Sequence, residues 1–219
     1  RKLARETGTL LLGLRNHAAS LPTSEDESHS VLAQEILGSE GDRVAHNYLM
    51  EQFQIHRPED VVLSEEGDLY VARLNAKRVW IIDPLDGTSN FMRGIPHYCV
   101  SIACLIDGRL AHAVVFDPVR QEEFTASRGR GAQLNGHRLR VSNRIDLREC
   151  LLGTGIPFLG HEQQRLPQYT QTLAELAGQC MGIRRAGAAA LDLAYVAAGR
   201  FDGFWETGLE RWDMAAGAL

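Results

Sequence analysis

Acidic residues crowd the segment Trp80-Ile81-Ile82-Asp83-Pro84-Leu85-Asp86-Gly87-Thr88-Ser89-Asn90-Phe91, in which an apolar run delivers two carboxylates and a hydroxyl into a tight turn. Pro84 fixes one backbone angle and Gly87 admits unusual ones, so Asp83, Asp86 and the Leu85 carbonyl can converge on one point. An all-oxygen set of this kind suits a hard cation. Magnesium prefers near-octahedral oxygen coordination, keeps several waters and commonly combines a few carboxylates with a substrate phosphate. Asp-rich turns also arise for structural reasons alone, because the Asp side chain bonds its own backbone. Glu65-Glu66, just past the apolar Val61-Val62-Leu63, favours the metal reading. Adjacent acids are costly to bring together unless a cation or solvent separates their charges. With Asp213 added, the oxygens suffice for about two or three ions, and paired ions ~3.5–4 Å apart activate water and stabilise a leaving oxygen in phosphoryl transfer.

The elements that must position these groups can be read from periodicity. Leu3 to Leu14 carries apolar residues at three- and four-residue spacing, which predicts an amphipathic helix fading toward Pro22. Thr23 to Ser30 has no apolar period and reads as an exposed loop. Asp42 is placed to cap a helix whose face is Val44, Tyr48, Leu49 and Phe53, closing before Pro58. Val61 to Leu63 and Val79 to Ile82 are short and β-branched enough to be buried strands. Cys99 to Leu105, Leu110 to Phe116 and Glu122 to Ala126 follow as a meander, with turns at Asp107-Gly108 and Asn135-Gly136. Leu166 to Ala177 and Ala188 to Ala198 read as helices, Phe201 to Glu206 as a strand, and a last helix as starting at Asp213.

Composition narrows the function. The 219 residues are 44% apolar, enough for a substantial core, and carry a formal charge of −5. That balance argues against a nucleic-acid polymer as partner, and Arg128, Arg130, Arg138 and Arg140 read as a solvated hairpin. Cys99, Cys104, Cys150 and Cys180 form no CxxC pair, so neither a zinc knuckle nor a disulfide framework is indicated and a reducing cytoplasm is expected. No apolar run approaches the ~18–20 residues needed to span a bilayer, and Arg1-Lys2-Leu3-Ala4-Arg5-Glu6 does not read as a signal peptide. His97, His112 and His137 lack paired ligand spacing and are expected to be structural or solvated.

Three stretches together resemble one family: Leu63-Ser64-Glu65-Glu66, Trp80 to Phe91, and Trp212-Asp213-Met214-Ala215-Ala216-Gly217 are similar to the inositol monophosphatase-like, lithium-sensitive phosphatases. The resemblance covers roughly Asp42 to Leu219. It implies that Glu65, Asp83, the Leu85 carbonyl, Asp86 and Asp213 ligate Mg2+, while Thr88 and Asp42 help Glu65 orient the attacking water. It also implies that the backbone at Gly87 and Thr88 receives the phosphate, that Asp86, Ala189 and Glu206 contact the substrate, and that the chain is a homodimer acting on a small phosphorylated substrate. Water then attacks phosphorus in line without a covalent enzyme intermediate.

Within that superfamily the chain is mixed. Ser89-Asn90-Phe91 and the stretches Gly131 to Gly136, Ala189 to Ala194 and Glu206 to Leu209 resemble bacterial inositol monophosphatases, whereas Gly41-Asp42-Arg43 through Glu66 resembles the bacterial 3'(2'),5'-bisphosphate nucleotidases. A fructose-1,6-bisphosphatase-like enzyme is the other hydrolytic alternative, and a non-catalytic regulatory protein on the same fold is the alternative of another kind. The Lys that many relatives carry ahead of Asp42 is absent, and the family's domain runs several tens of residues beyond Trp-Asp. An exposed sheet edge is expected from that shortening. The fold implied is a layered α-β-α-β-α sandwich, α/β (α+β) in class, either truncated at its C-terminus or a compact variant. Residues 1–145 would form an α+β portion with the antiparallel sheet and most ligands, and 146–219 a smaller α/β portion contributing Glu206 and Asp213.

Overall fold

The computed structural model describes residues 1–20, 27–67, 76–157 and 163–219. Two helices, α1 (Lys2–Ser20) and α2 (Glu27–His56), precede β1 (Val61–Ser64) and β2 (Arg78–Asp86). After the short α3 (Thr88–Arg93) come β3 (Cys99–Ile106), β4 (Arg109–Asp117), β5 (Glu122–Ser127), β6 (Gly131–Leu134) and β7 (His137–Arg138). The remainder is β8 (Leu151–Thr154), α4 (Leu166–Ala177), β9 (Gly182–Arg184), α5 (Ala189–Ala197), β10 (Gly203–Trp205) and α6 (Arg211–Ala215).

β1 to β7 form one seven-stranded sheet in chain order, antiparallel except for the parallel β1–β2 pair. Its two faces are sorted by the period of two that strands impose. Ile82, Val100, Ile102, Val114 and Phe116 face α1 and α2, against Ala4, Leu11, Ala45, Leu49 and Phe53. Ile81, Ala103, Ala113, Val115 and Phe124 face α5 and α6, against Ala190, Leu191, Ala194, Ala215 and Ala216. A second, parallel sheet in the order β10-β8-β9 completes the mixed α/β architecture. Among the described residues no helix is long and apolar enough to cross a membrane.

The hairpins at Asp107-Gly108 and Asn135-Gly136 lie where the sequence puts them, with positive φ at both central residues as a type I′ turn requires. Three expectations are corrected. Residues 27–30 of the stretch read as an exposed loop belong to α2, while 23–26 lie outside the described residues. Asp42 is accordingly no N-cap but sits inside a 30-residue helix. A Cβ at the neighbouring Gly41 would come within 2.8 Å of the Phe91 ring, so the glycine lets α2 lie directly on α3. Tertiary contact has overridden local propensity there. Third, Asp213 does not start the last helix: Glu210 caps α6, and Asp213 occupies its third position in a reciprocal capping box.

Phe91 is fully buried and meets Tyr98 edge to face at 5.3 Å, joining α3, α2 and the start of β3. Phe91→Ala should therefore destabilise the fold by about 3–5 kcal/mol, the usual range for a large aromatic in a close-packed core. Urea unfolding followed by far-UV circular dichroism would check this, and a loss under about 1 kcal/mol would contradict the packing described.

Candidate active site

β2 is the element on which the site is built. Its pairing with β3 shifts register between Asp83 and Asp86, where Pro84 offers no amide to the ladder. The resulting bulge turns both acids to one side. Asp83 Oδ1 then accepts from Leu85 N at 3.0 Å, an Asx turn that tightens the bend. Gly87 follows in the left-handed region at φ 95°, where a Cβ would lie 3.0 Å from the His97 carbonyl and 3.2 Å from Ala188 Cβ. Only glycine suits that conformation and that closeness together. α3 begins at once, with no side chain capping its first-turn amides.

The surrounding elements close a cavity of about 330 Å³ over this turn. Glu65 enters from the end of β1, Asp213 from α6, Glu206 from beyond β10 and Ala189 from the start of α5; Asp83, Leu85, Asp86, Gly87 and Thr88 complete the wall. Of the residues singled out for metal, water or substrate, all but Asp42 and Glu66 line this one space. Asp42 stands behind Thr88, whose Oγ1 lies 3.3 Å from Asp42 Oδ1 and 3.1 Å from the Leu85 carbonyl. Glu206 packs over the Gly155 backbone. Sequence reasoning missed Arg185 and Glu210, which also line the cavity. A basic residue two positions ahead of the Gly187 turn was the available signal for Arg185.

Electrostatics set this group apart. Burial holds the Asp83 carboxyl well above the ordinary range, and repulsion from Asp86 and Glu65 adds to it. Asp86 is pushed up to about 7, chiefly by burial, against the opposing pull of the Ala190 amide, which donates to Oδ2 at 2.8 Å. Asp42 is also raised to about 7, by burial and then by Glu66 and Glu65. Glu206 reaches about 7, by burial and then by Asp86 and Asp192, with Arg185 opposing. Glu65 is raised mainly by desolvation, against its hydrogen bond with Asp83, and Asp213 by desolvation against the Glu210 amide. Among the described residues no Lys, Arg or His pairs with Glu65, Asp83, Asp86 or Asp213 at ion-pair distance.

A donor set of carboxylates and one carbonyl, crowded and unneutralised, fits a hard divalent cation in kind. Among the described residues no three His, Cys, Asp or Glu side chains are grouped closely enough to hold a metal ion as they stand. Asp83, Asp86 and Asp213 each direct an oxygen to a backbone amide, on Leu85, Ala190 and Glu210 respectively.

The sequence profile of the inositol monophosphatase family matches residues 2–219, so the chain belongs to that family. The match reaches 40 residues further toward the N-terminus than the motifs alone indicate, from Asp42 back to Lys2. Nus factor SuhB of Pseudomonas aeruginosa is 57% identical over 182 residues, covering 83% of this chain and 67% of the relative. An inositol-1-monophosphatase of Rhizobium meliloti is 49% identical over 181 residues, again covering 83% of this chain and 67% of the relative. Extragenic suppressor protein suhB of Bartonella henselae superposes with a TM-score of 0.83 at 38% identity, over the whole of this chain and 79% of that one. Membership supports phosphatase activity. The name Nus factor assigns no hydrolysis to its bearers, and it lends no support to the expectation that nucleic-acid polymers are excluded as partners.

Carboxyls raised in the fold bind protons that the unfolded chain has already released. The stability they allow is present near pH 4 and is lost as pH rises through about 7, the value reached by Asp42 and Asp86. Metal-free protein should therefore melt lower at pH 8 than at pH 5.5, and magnesium should raise the melting temperature more at pH 8, where it no longer competes with protons. Differential scanning fluorimetry at both pH values would check this; an equal magnesium shift at the two would contradict the assignment of these carboxylates.

Proposed function

We propose that this chain hydrolyses small phosphate monoesters, with inositol monophosphate the preferred class, in a magnesium-dependent reaction. The observation that carries the reading is the convergence of Glu65, Asp83, Asp86 and Asp213 on one cavity that Glu206 and Ala189 also line. Magnesium would be held by those four carboxylates and the Leu85 carbonyl, and when bound it supplies charge neutralisation and acidifies water.

The remaining work falls to the chain. Uncapped amides at Gly87, Thr88 and Ser89 present donors to phosphate oxygens at the start of α3. Thr88 has one proton and two acceptors within reach, Asp42 and the Leu85 carbonyl, so its hydroxyl lone pairs are left to accept from the attacking water. Asp42, titrating at about 7, is matched to receiving that proton near neutral pH. Glu206, pushed up to about 7 as well, can accept from or donate to an alcohol hydroxyl of the substrate. Asn90 supports the inositol reading over the bisphosphate-nucleotide one by resemblance, while the stretch around Asp42 favours the nucleotide.

A second reading is supported by the relatives named Nus factor SuhB: a role other than catalysis on the same fold. Retention of the whole carboxylate set favours hydrolysis, since a purely non-catalytic protein has no need to hold mutually repelling acids together.

Phosphate release with magnesium from inositol 1-phosphate and adenosine 3',5'-bisphosphate, side by side, would test the reading. The inositol ester should be preferred, lithium should inhibit, and Asp86→Asn should lower kcat/KM by at least about 10³-fold while the protein stays folded, as befits loss of a charged group acting on the transition state. Release from neither ester, or an active Asp86→Asn protein, would sink the proposal.

A further inference from the structure

His97 and Asp192 are 95 residues apart in sequence, and neither lines the cavity. His97 Nε2 nevertheless lies 3.1 Å from Asp192 Oδ1, and the two residues are 8% and 1% exposed. A hydrogen bond sealed from water to this degree is held firmly, because breaking it leaves two buried polar groups unpaired. The imidazole is further fixed edge to face against Tyr195, one turn along α5, at 5.6 Å.

Its place in the fold gives the pair a task. On the phosphatase reading, the phosphate half of the cavity is the turn 86–89 and the alcohol half is Gly187, Ala189 and Glu206, all of which line it. Three contacts tie these halves together. Asp86 Oδ2 accepts from Ala190 N at 2.8 Å. Asn90 Nδ2 donates to the His97 carbonyl at 2.7 Å and to the Ala186 and Gly187 carbonyls at 2.8 and 3.3 Å. The third is His97 to Asp192. Asp86 is a candidate ligand and Asn90 belongs to the helix behind the phosphate site, so the histidine pair is the tie free of the reacting groups. Asp192 also lies near enough to Asp86 and Glu206 for its charge to press on both.

We infer that the His97–Asp192 pair is a positioning latch: it sets the first turn of α5 against the Gly87 turn and so fixes the distance between the phosphate and alcohol halves of the cavity. The latch itself stands on geometry alone, and its kinetic consequence rests on the phosphatase reading. On that reading Ala189 of α5 lines the alcohol half, while Asp86 is held by its own place on β2 as well as by the Ala190 amide, so loosening α5 weakens substrate binding more than it slows the chemical step.

The test uses the full chain as Asp192→Ala, His97→Phe and Asp192→Asn. The Phe ring keeps its contact with Tyr195 but has no Nε2, and it carries the test if the alanine protein does not fold. The Asn amide oxygen can still accept from the imidazole. Amide hydrogen exchange over residues 186–191 should speed up roughly tenfold or more in the first two variants and stay within about twofold of wild type in Asp192→Asn. KM for inositol 1-phosphate should rise roughly tenfold in the first two, with kcat within about threefold, and return in the third. Unchanged exchange in folded Asp192→Ala or His97→Phe would overturn the latch, whatever the activity. Faster exchange with an unmoved KM would overturn its positioning role. Faster exchange in a chain whose wild type releases no phosphate would support the latch and overturn the phosphatase reading instead.

Discussion

Like charges held close together in a poorly solvated space govern this molecule. Asp83 and Asp86 stand three residues apart at the end of a buried strand, Glu65 arrives from the neighbouring strand and Asp213 from the last helix, and their partners among the described residues are backbone amides, the Cys99 thiol and one another. At neutral pH such a group either keeps protons it would shed in water or takes up a cation of higher charge density. A fold that places it must hold three elements, β1, β2 and α6, rigidly against that repulsion.

The hydrophobic layers supply the rigidity. α1 and α2 cover one face of the seven-stranded sheet and α5 and α6 the other, so β2 is clamped from both sides over the length that leads to Asp83. Charge reinforces the outer layer: Glu123, 1% exposed on β5, accepts from Arg5 Nε of α1 at 2.6 Å. Opening one layer would free an acid to move toward water. Stability and site geometry are therefore linked through the same strand, and that is why the register shift after Asp83 is tolerated in the middle of a sheet.

Much of this was legible in the sequence because it is local. The Asp-Pro-Leu-Asp-Gly-Thr turn, the two Asx-Gly hairpins and the helix at Leu166–Ala177 depend on residues within a few positions of one another. What was illegible depends on contacts across the chain. The start of α2 was hidden because residues 27–30 carry no apolar period of their own, and the helix runs on through Gly41, which admits Phe91 about fifty residues on. β8 and β9 are four and three residues long, too short for a period, and exist as strands only by pairing in parallel with each other and with β10. Glu210 and Arg185 carry no motif of their own, and the His97–Asp192 contact joins residues whose separate signals are bland. The chemistry is thus written in one short segment, while the walls that give the chemistry its shape come from tertiary contact.

The central claim is that the crowded carboxylates are a divalent-cation site. Manganese is a spectroscopic stand-in for magnesium with the same preference for oxygen ligands. Titrating it into the protein at pH 7.5 while counting free ion by electron paramagnetic resonance tests the claim without any substrate. Wild type should bind at least one ion per chain at micromolar concentrations, and Asp83→Asn should lose that binding while remaining folded. Equal binding by both proteins, or none by wild type, would contradict the account.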